Sequence, residues 1–198
     1  MGWIFYTDNQ ALTPDAMLKR EFNCTSTCGT VWRVIDSATR GNVWYAILES
    51  VSPDTGTRYH GAVCLFKRSK KLNEFGYKDM GESSGPNAAN APLRIIDKLD
   101  KLRPIDPNDD SYVAKWARDW RQRCRDNAAK TKKRHTMSKG MIVKLGEHEY
   151  VLHSSAGTRR GWYVRMLNDH VTGSLYRASA KQLNNATIVQ GVTPVQGV

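Results

Sequence analysis

The sequence predicts an α+β fold: an antiparallel sheet with helices against it, a long basic amphipathic helix, and then a small all-β barrel. Three observations predict it. Residues 30–67 hold three strand-like runs separated by turn residues. A stretch that opens at Asn108 carries apolar residues at helical spacing, with cations on the opposite side. Residues 140–189 contain five short strand-like runs broken by turn residues at close intervals.

The first element is a short helix over 13–22. Thr13 is a good N-cap, Pro14 suits the first helical position, and Asp15 favours the positive end of the helix dipole. The strand-like runs Thr30–Asp36, Asn42–Ser50 and Arg58–Lys67 follow a turn-rich break at 23–29. The second run alternates Val43, Tyr45 and Ile47 with Trp44, Ala46 and Leu48. Both of its faces are apolar, as in a central strand covered on two sides. An antiparallel meander with one or two helices against it is the economical arrangement. Residues 73–92 are rich in Gly, Ser, Asn and Pro and read as a long loop. Leu93–Leu102 reads as a helix facing inward through Leu93, Ile96 and Leu99 or Leu102, stopped by Pro104 and Pro107.

Asn108, Asp109, Asp110 and Ser111 offer N-caps for the long helix. Its expected apolar stripe is Tyr112, Val113, Trp116, Trp120 and Cys124, spanning about 120° of the wheel. Lys115, Arg118, Arg125 and Lys132 fall on a separate arc. The helix is expected to give way to a linker ending near Lys139. The barrel strands are Met141–Leu145, Glu149–His153, Trp162–Leu167, Ser174–Ala178 and Thr187–Val189. The organisation expected is thus an α+β domain over 1–110, the basic helix and linker over 111–139, the barrel over 140–189, and a disordered tail over 190–198 that repeats Val-Gln-Gly-Val.

Charge points to the partner. The chain of 198 residues carries a net charge of +11. Residues 1–110 balance 14 Lys/Arg against 14 Asp/Glu, whereas residues 111–198 hold 16 against 5, so the whole excess lies in the rear part. A polyanion gains counterion-release energy on such a surface. No apolar run nears the length of a membrane span, and Met1–Tyr6 has no basic leader region. Four cysteines are too few for a disulfide scaffold. A cytoplasmic protein with no membrane partner is expected.

Chemistry-bearing motifs are sparse. Cys24, Cys28, His60 and Cys64 invite a zinc reading, but His60 and Cys64 in one strand lie about 13 Å apart. No metal and no cofactor are expected. The glycine-rich loop 76–86 gathers Tyr77, Lys78, Asp79, Glu82 and Ser83. An enzyme would use Asp79 or Glu82 as acid or base and Lys78 to orient an anion. The glycines follow no phosphate-loop or dinucleotide pattern, so no catalytic residue is assigned and the loop stands as a protein- or ligand-binding candidate. In the barrel, Arg159, Arg160, Tyr163, Arg165 and Arg177 interleave cations with aromatic rings, as a surface that stacks bases and neutralises phosphate would. Alternation turns Trp162, Val164 and Met166 to one face and Tyr163, Arg165 and Leu167 to the other, with Trp162 in the core.

Two resemblances accompany these residues. The start Met1-Gly2-Trp3, the run Arg40–Trp44, and Gly76-Tyr77-Lys78-Asp79-Met80 followed by Glu82-Ser83 and Gly85-Pro86 resemble an uncharacterised domain of bacteriophages and plasmids over about residues 1–125. Residues 140–189 are similar to SH3-like barrels of nucleic-acid-associated proteins. The first resemblance implies a mobile-element setting, in which small proteins block host defences. The function expected is a DNA- or RNA-binding accessory protein, an anti-defence inhibitor (anti-CRISPR or anti-restriction) that contacts a host nuclease or ribonucleoprotein complex. Its phosphate contacts would be Lys115, Arg118, Arg121, Arg125, Lys132, Lys133 and Arg134, with the five barrel residues above. The alternatives are an enzyme acting on nucleic acid or nucleotide through the 76–86 loop, and a module that binds protein only.

Overall fold

A computed structural model describes residues 4–7, 13–67, 74–77, 82, 89–157, 161–167 and 173–190. The chain divides into two compact units, Met1–Ala128 and Ala129–Val198. The first holds β1 (Ile4–Thr7), α1 (Pro14–Phe22), β2 (Cys24–Thr25), β3 (Val31–Arg40), β4 (Val43–Val51), β5 (Arg58–Lys67), β6 (Glu74–Tyr77), α2 (Leu93–Leu102) and most of α3 (Tyr112–His135). The second holds the end of α3, then β7 (Ile142–Leu145), β8 (His148–Ser155), β9 (Trp162–Met166), β10 (Tyr176–Ala178), α4 (Ala180–Asn185) and β11 (Thr187–Gln190). Among the described residues, no helix is long and apolar enough to cross a membrane.

The six strands of the first unit form an antiparallel sheet in the order β1-β6-β5-β4-β3-β2. Gly41, at a φ of 63°, and Asn42 make the two-residue turn that joins β3 to β4. As its alternation demands, β4 is covered on both faces. Tyr45 and Ile47 share a core with Ile95, Ile96 and Leu99 of α2 and Trp120 and Cys124 of α3. Trp44 and Ala46 share a second core with Met17 and Leu18 of α1. The Thr13 hydroxyl accepts the Ala16 N–H and caps α1.

Several expectations are corrected. Within the stretch read as loop, residues 74–77 form β6, which pairs with β1 and β5. β5 directly precedes it, but β1 comes from the start of the chain, and the four residues carry no pattern of their own. In α2 the buried residues are Ile95, Ile96 and Leu99, while Leu93 and Leu102 are exposed. In α3 the buried stripe is Ala114, Ala117, Trp120, Arg121 and Cys124, not one led by Tyr112 and Val113. The small alanines are buried, and the two large residues are left outside. Tyr112 instead packs on Trp116 with the rings tilted and their centroids 4.0 Å apart. The helix also continues to His135 through the residues expected to lead into a linker.

The second unit is a five-stranded antiparallel sheet, β10-β9-β8-β7-β11, curled into a half-barrel. Register shifts near His153 and Val189 mark irregularities that bend a strand and increase its twist. Val143, Leu152, Val164 and Ala178 line the inner face with Met137, Met141, Leu183 and Ala186. Gln190, expected in the tail, belongs to β11, and residues 191–198 lie outside the described residues. α4 is held by a capping box: the Ser179 hydroxyl accepts the Gln182 N–H, and Gln182 Oε1 accepts the Ser179 N–H.

Candidate functional site

The cations of α3 fall into two groups. Lys115, Arg123, Lys130 and Lys132 are exposed. Arg118 is turned back toward the preceding loop, where its Nη1 donates to the carbonyls of Asp106 and Asp109 at 2.8 and 2.7 Å. Arg125 donates to Asp100 of α2. Lys133 donates to the Ala186 carbonyl and Arg134 to Asn184 Oδ1, which ties the end of α3 to the residues around α4. Arg121 is 3% exposed and was expected on the phosphate-binding face. Its Nε donates to Glu82 Oε1 at 2.5 Å, and its Nη1 donates to Asp100 Oδ1 and the Arg103 carbonyl at 2.8 and 2.9 Å. Burial of its side chain removes Arg121 from any surface, so that expectation is corrected.

Glu82 is the described carboxylate of the glycine-rich loop. It is buried and accepts from both Arg103 and Arg121. The Arg103 guanidinium in turn lies over the Tyr59 ring, 4.7 Å from its centroid. The two guanidinium groups tie Glu82 to the C-cap of α2 and to α3. Lys78, Asp79 and Ser83 lie outside the described residues, as does the side chain of Tyr77.

In the half-barrel, β-sheet register brings the expected residues together. Tyr176 pairs with Val164 and Arg177 with Tyr163, while Arg165 pairs with Val151. Directly opposed residues share a face. Val164 and Leu152 are buried on the inner face, and Tyr163, Arg165 and Arg177 are exposed on the outer one. Trp162 packs against the inner core, as the alternation predicts. A tyrosine ring flanked by two guanidinium groups therefore stands on one solvent-facing surface. Arg159 and Arg160 lie outside the described residues.

On the inner side, a cavity of about 580 Å³ is lined by Leu145, Tyr150, Tyr176, Arg177, Gln182 and Asn185, among others. Gln182 and Asn185 were not singled out from sequence. The Ser179-x-x-Gln182 spacing is the signal that announces their helix.

The cysteine and histidine positions diverge. Cys64 is buried in the first core, whereas His60 Nε2 lies 3.2 Å from Glu49 Oε2. Cys24 and Cys28 are exposed in the β2–β3 hairpin. Hydrogen bonds from Ser26 and Thr30 bring the Cys28 thiol down to about 7, while burial pushes Cys64 up to about 12 and Cys124 up to about 11. Among the described residues, no three His, Cys, Asp or Glu side chains are grouped to hold a metal ion.

Residues 112–181 match the family model described as a Domain of unknown function (DUF6927). An uncharacterised domain lies in this part of the chain. It begins at the first residue of α3, ends within α4, and so contains the exposed helix cations and the Tyr163–Arg165–Arg177 surface. It overlaps the stretch 1–125 only over 112–125. No curated protein and no solved structure matches the chain.

Proposed function

We propose that the chain binds nucleic acid through its second unit. The observation that carries this reading is the exposed cross-strand pair of Tyr163 and Arg177, with Arg165 beside it on the same face. Aromatic faces stack on bases and guanidinium groups neutralise phosphates, so the two residue types on one surface suit a strand of nucleic acid. Charge supports it. Residues 129–198 carry eleven Lys/Arg against three Asp/Glu, a net +8, while residues 1–128 carry nineteen against sixteen, a net +3. Lys130, Lys132 and Lys139 add exposed cations to this unit. The first unit, nearly neutral for its size, serves a protein partner. In the mobile-element setting that the sequence resemblance implies, that partner is a host defence nuclease or ribonucleoprotein complex.

An acid–base role for the 76–86 loop is disfavoured by the commitment of Glu82 to two arginines. The test is a titration of the full chain with single-stranded and duplex DNA and with RNA over a range of salt. Affinity should fall linearly on a log–log plot as salt rises. Absence of binding at low salt, or affinity indifferent to salt, refutes the reading.

A further inference from the structure

The inner cavity of the half-barrel holds chemistry that the outer surface does not use. Tyr176 is 46% exposed at its border. Gln182 spends its Oε1 on Ser179, and its Nε2 amide meets no hydrogen-bond acceptor among the described residues. The side chain of Asn185, also lining the cavity, is exposed and bonds to no described residue. Two amide groups thus face an open volume beside two tyrosine rings, those of Tyr150 and Tyr176. The volume of about 580 Å³ lies within the ordinary range for small-ligand pockets.

The lining selects the class of ligand. Its described residues include no carboxylate, and the unit around it is strongly positive. A cationic ligand, such as a methylated amine in an aromatic cage, would find no counter-charge among them. A neutral planar ring attached to a phosphate would find an aromatic face, amide donors and acceptors, and a positively charged surround.

We propose that this cavity receives one unpaired base of a nucleic-acid strand, with its ring against Tyr176 and its edge facing the amides of Gln182 and Asn185. The proposal rests on the nucleic-acid reading above and adds a base site separate from the Tyr163 surface.

The experiment compares two labelled strands of equal length by fluorescence anisotropy with the full chain: an oligothymidylate and the matching strand of abasic sites. Both carry the same phosphates. The chain should prefer the base-bearing strand by about tenfold, the size of one stacked base. Tyr176→Ala and Asn185→Ala should lower that preference while binding the abasic strand as before, and Tyr176→Phe should keep it. Circular dichroism checks that each variant folds. Should Tyr176→Ala fail to fold, Tyr176→Leu, which keeps the bulk and removes the ring, makes the same comparison. Equal affinity of the unaltered chain for both strands, or a preference that Tyr176→Ala or Tyr176→Leu leaves undiminished, overturns the base pocket and leaves phosphate binding intact. Binding of neither strand at low salt overturns the nucleic-acid reading as well.

Discussion

Arg121 Nε lies 2.5 Å from Glu82 Oε1, and the two residues are 39 positions apart in the chain. Both side chains are almost wholly buried. Their pairing joins the glycine-rich loop to the middle of α3, and it removes one cation and one carboxylate from the lists of candidate functional residues. Removing Arg121 leaves buried Glu82 with Arg103 alone and takes a donor from the Arg103 carbonyl. Arg121→Ala should therefore destabilise the fold by about 1–3 kcal/mol, read as a lowered urea midpoint. A loss within about 0.5 kcal/mol would show that Arg103 alone satisfies Glu82.

The outer surface of the half-barrel makes a separate prediction. Arg165→Ala and Arg177→Ala should each lower nucleic-acid affinity and reduce the magnitude of the salt slope by about 0.7–0.9, the share of one phosphate contact. Arg118, already bonded to two loop carbonyls, should change the slope less. Equal effects from all three would mean that only net charge matters.

The corrected stripe of α3 can be tested by size. Ala117 is fully buried, so Ala117→Leu forces bulk into a filled space and should cost about 1–3 kcal/mol in chemical denaturation. Val113 is half exposed, so Val113→Ala should stay within about 0.5 kcal/mol. The stripe expected from sequence would give the reverse order.

Asp36 ties β3 to α2. Burial disfavours its carboxylate, but hydrogen bonds from Lys98 and Arg94 outweigh that and hold its pKa below the usual value. A depressed folded-state pKa stabilises the fold above the unfolded carboxylate value of about 4, and this contribution disappears as pH falls through the folded value. Asp36→Asn should thus lower the melting temperature at neutral pH. The gap to the unaltered chain should close in strong acid. A gap that stays constant with pH would assign the loss to packing.

Cys28 is exposed with a thiol near 7, held there first by the Ser26 hydroxyl and then by Thr30. Iodoacetamide at neutral pH should modify Cys28 long before Cys64 or Cys124, which burial keeps protonated. Ser26→Ala should slow that reaction, as peptide mass spectrometry would report. Equal rates with and without the hydroxyl would remove its assigned role.

The sequence by itself determined the α+β class, the strands β3, β4, β5 and β9, and the three longer helices. These follow from alternation and helical spacing, which are properties of neighbouring residues. It also determined that Tyr163 and Arg165 share a face and that Trp162 turns inward. Only the tertiary structure decided that β6 is a strand, because its four residues carry no period and its partner β1 comes from the start of the chain. Only it separated Arg121 from Arg123 on α3. Both are arginines on one basic helix, and what divides them is a carboxylate 39 positions away from the first. It likewise set Arg177 opposite Tyr163, since register joins residues that no short-range period relates. A local period fixes where a side chain points, but which charge is neutralised depends on the long-range contacts that bring its partner within hydrogen-bond reach.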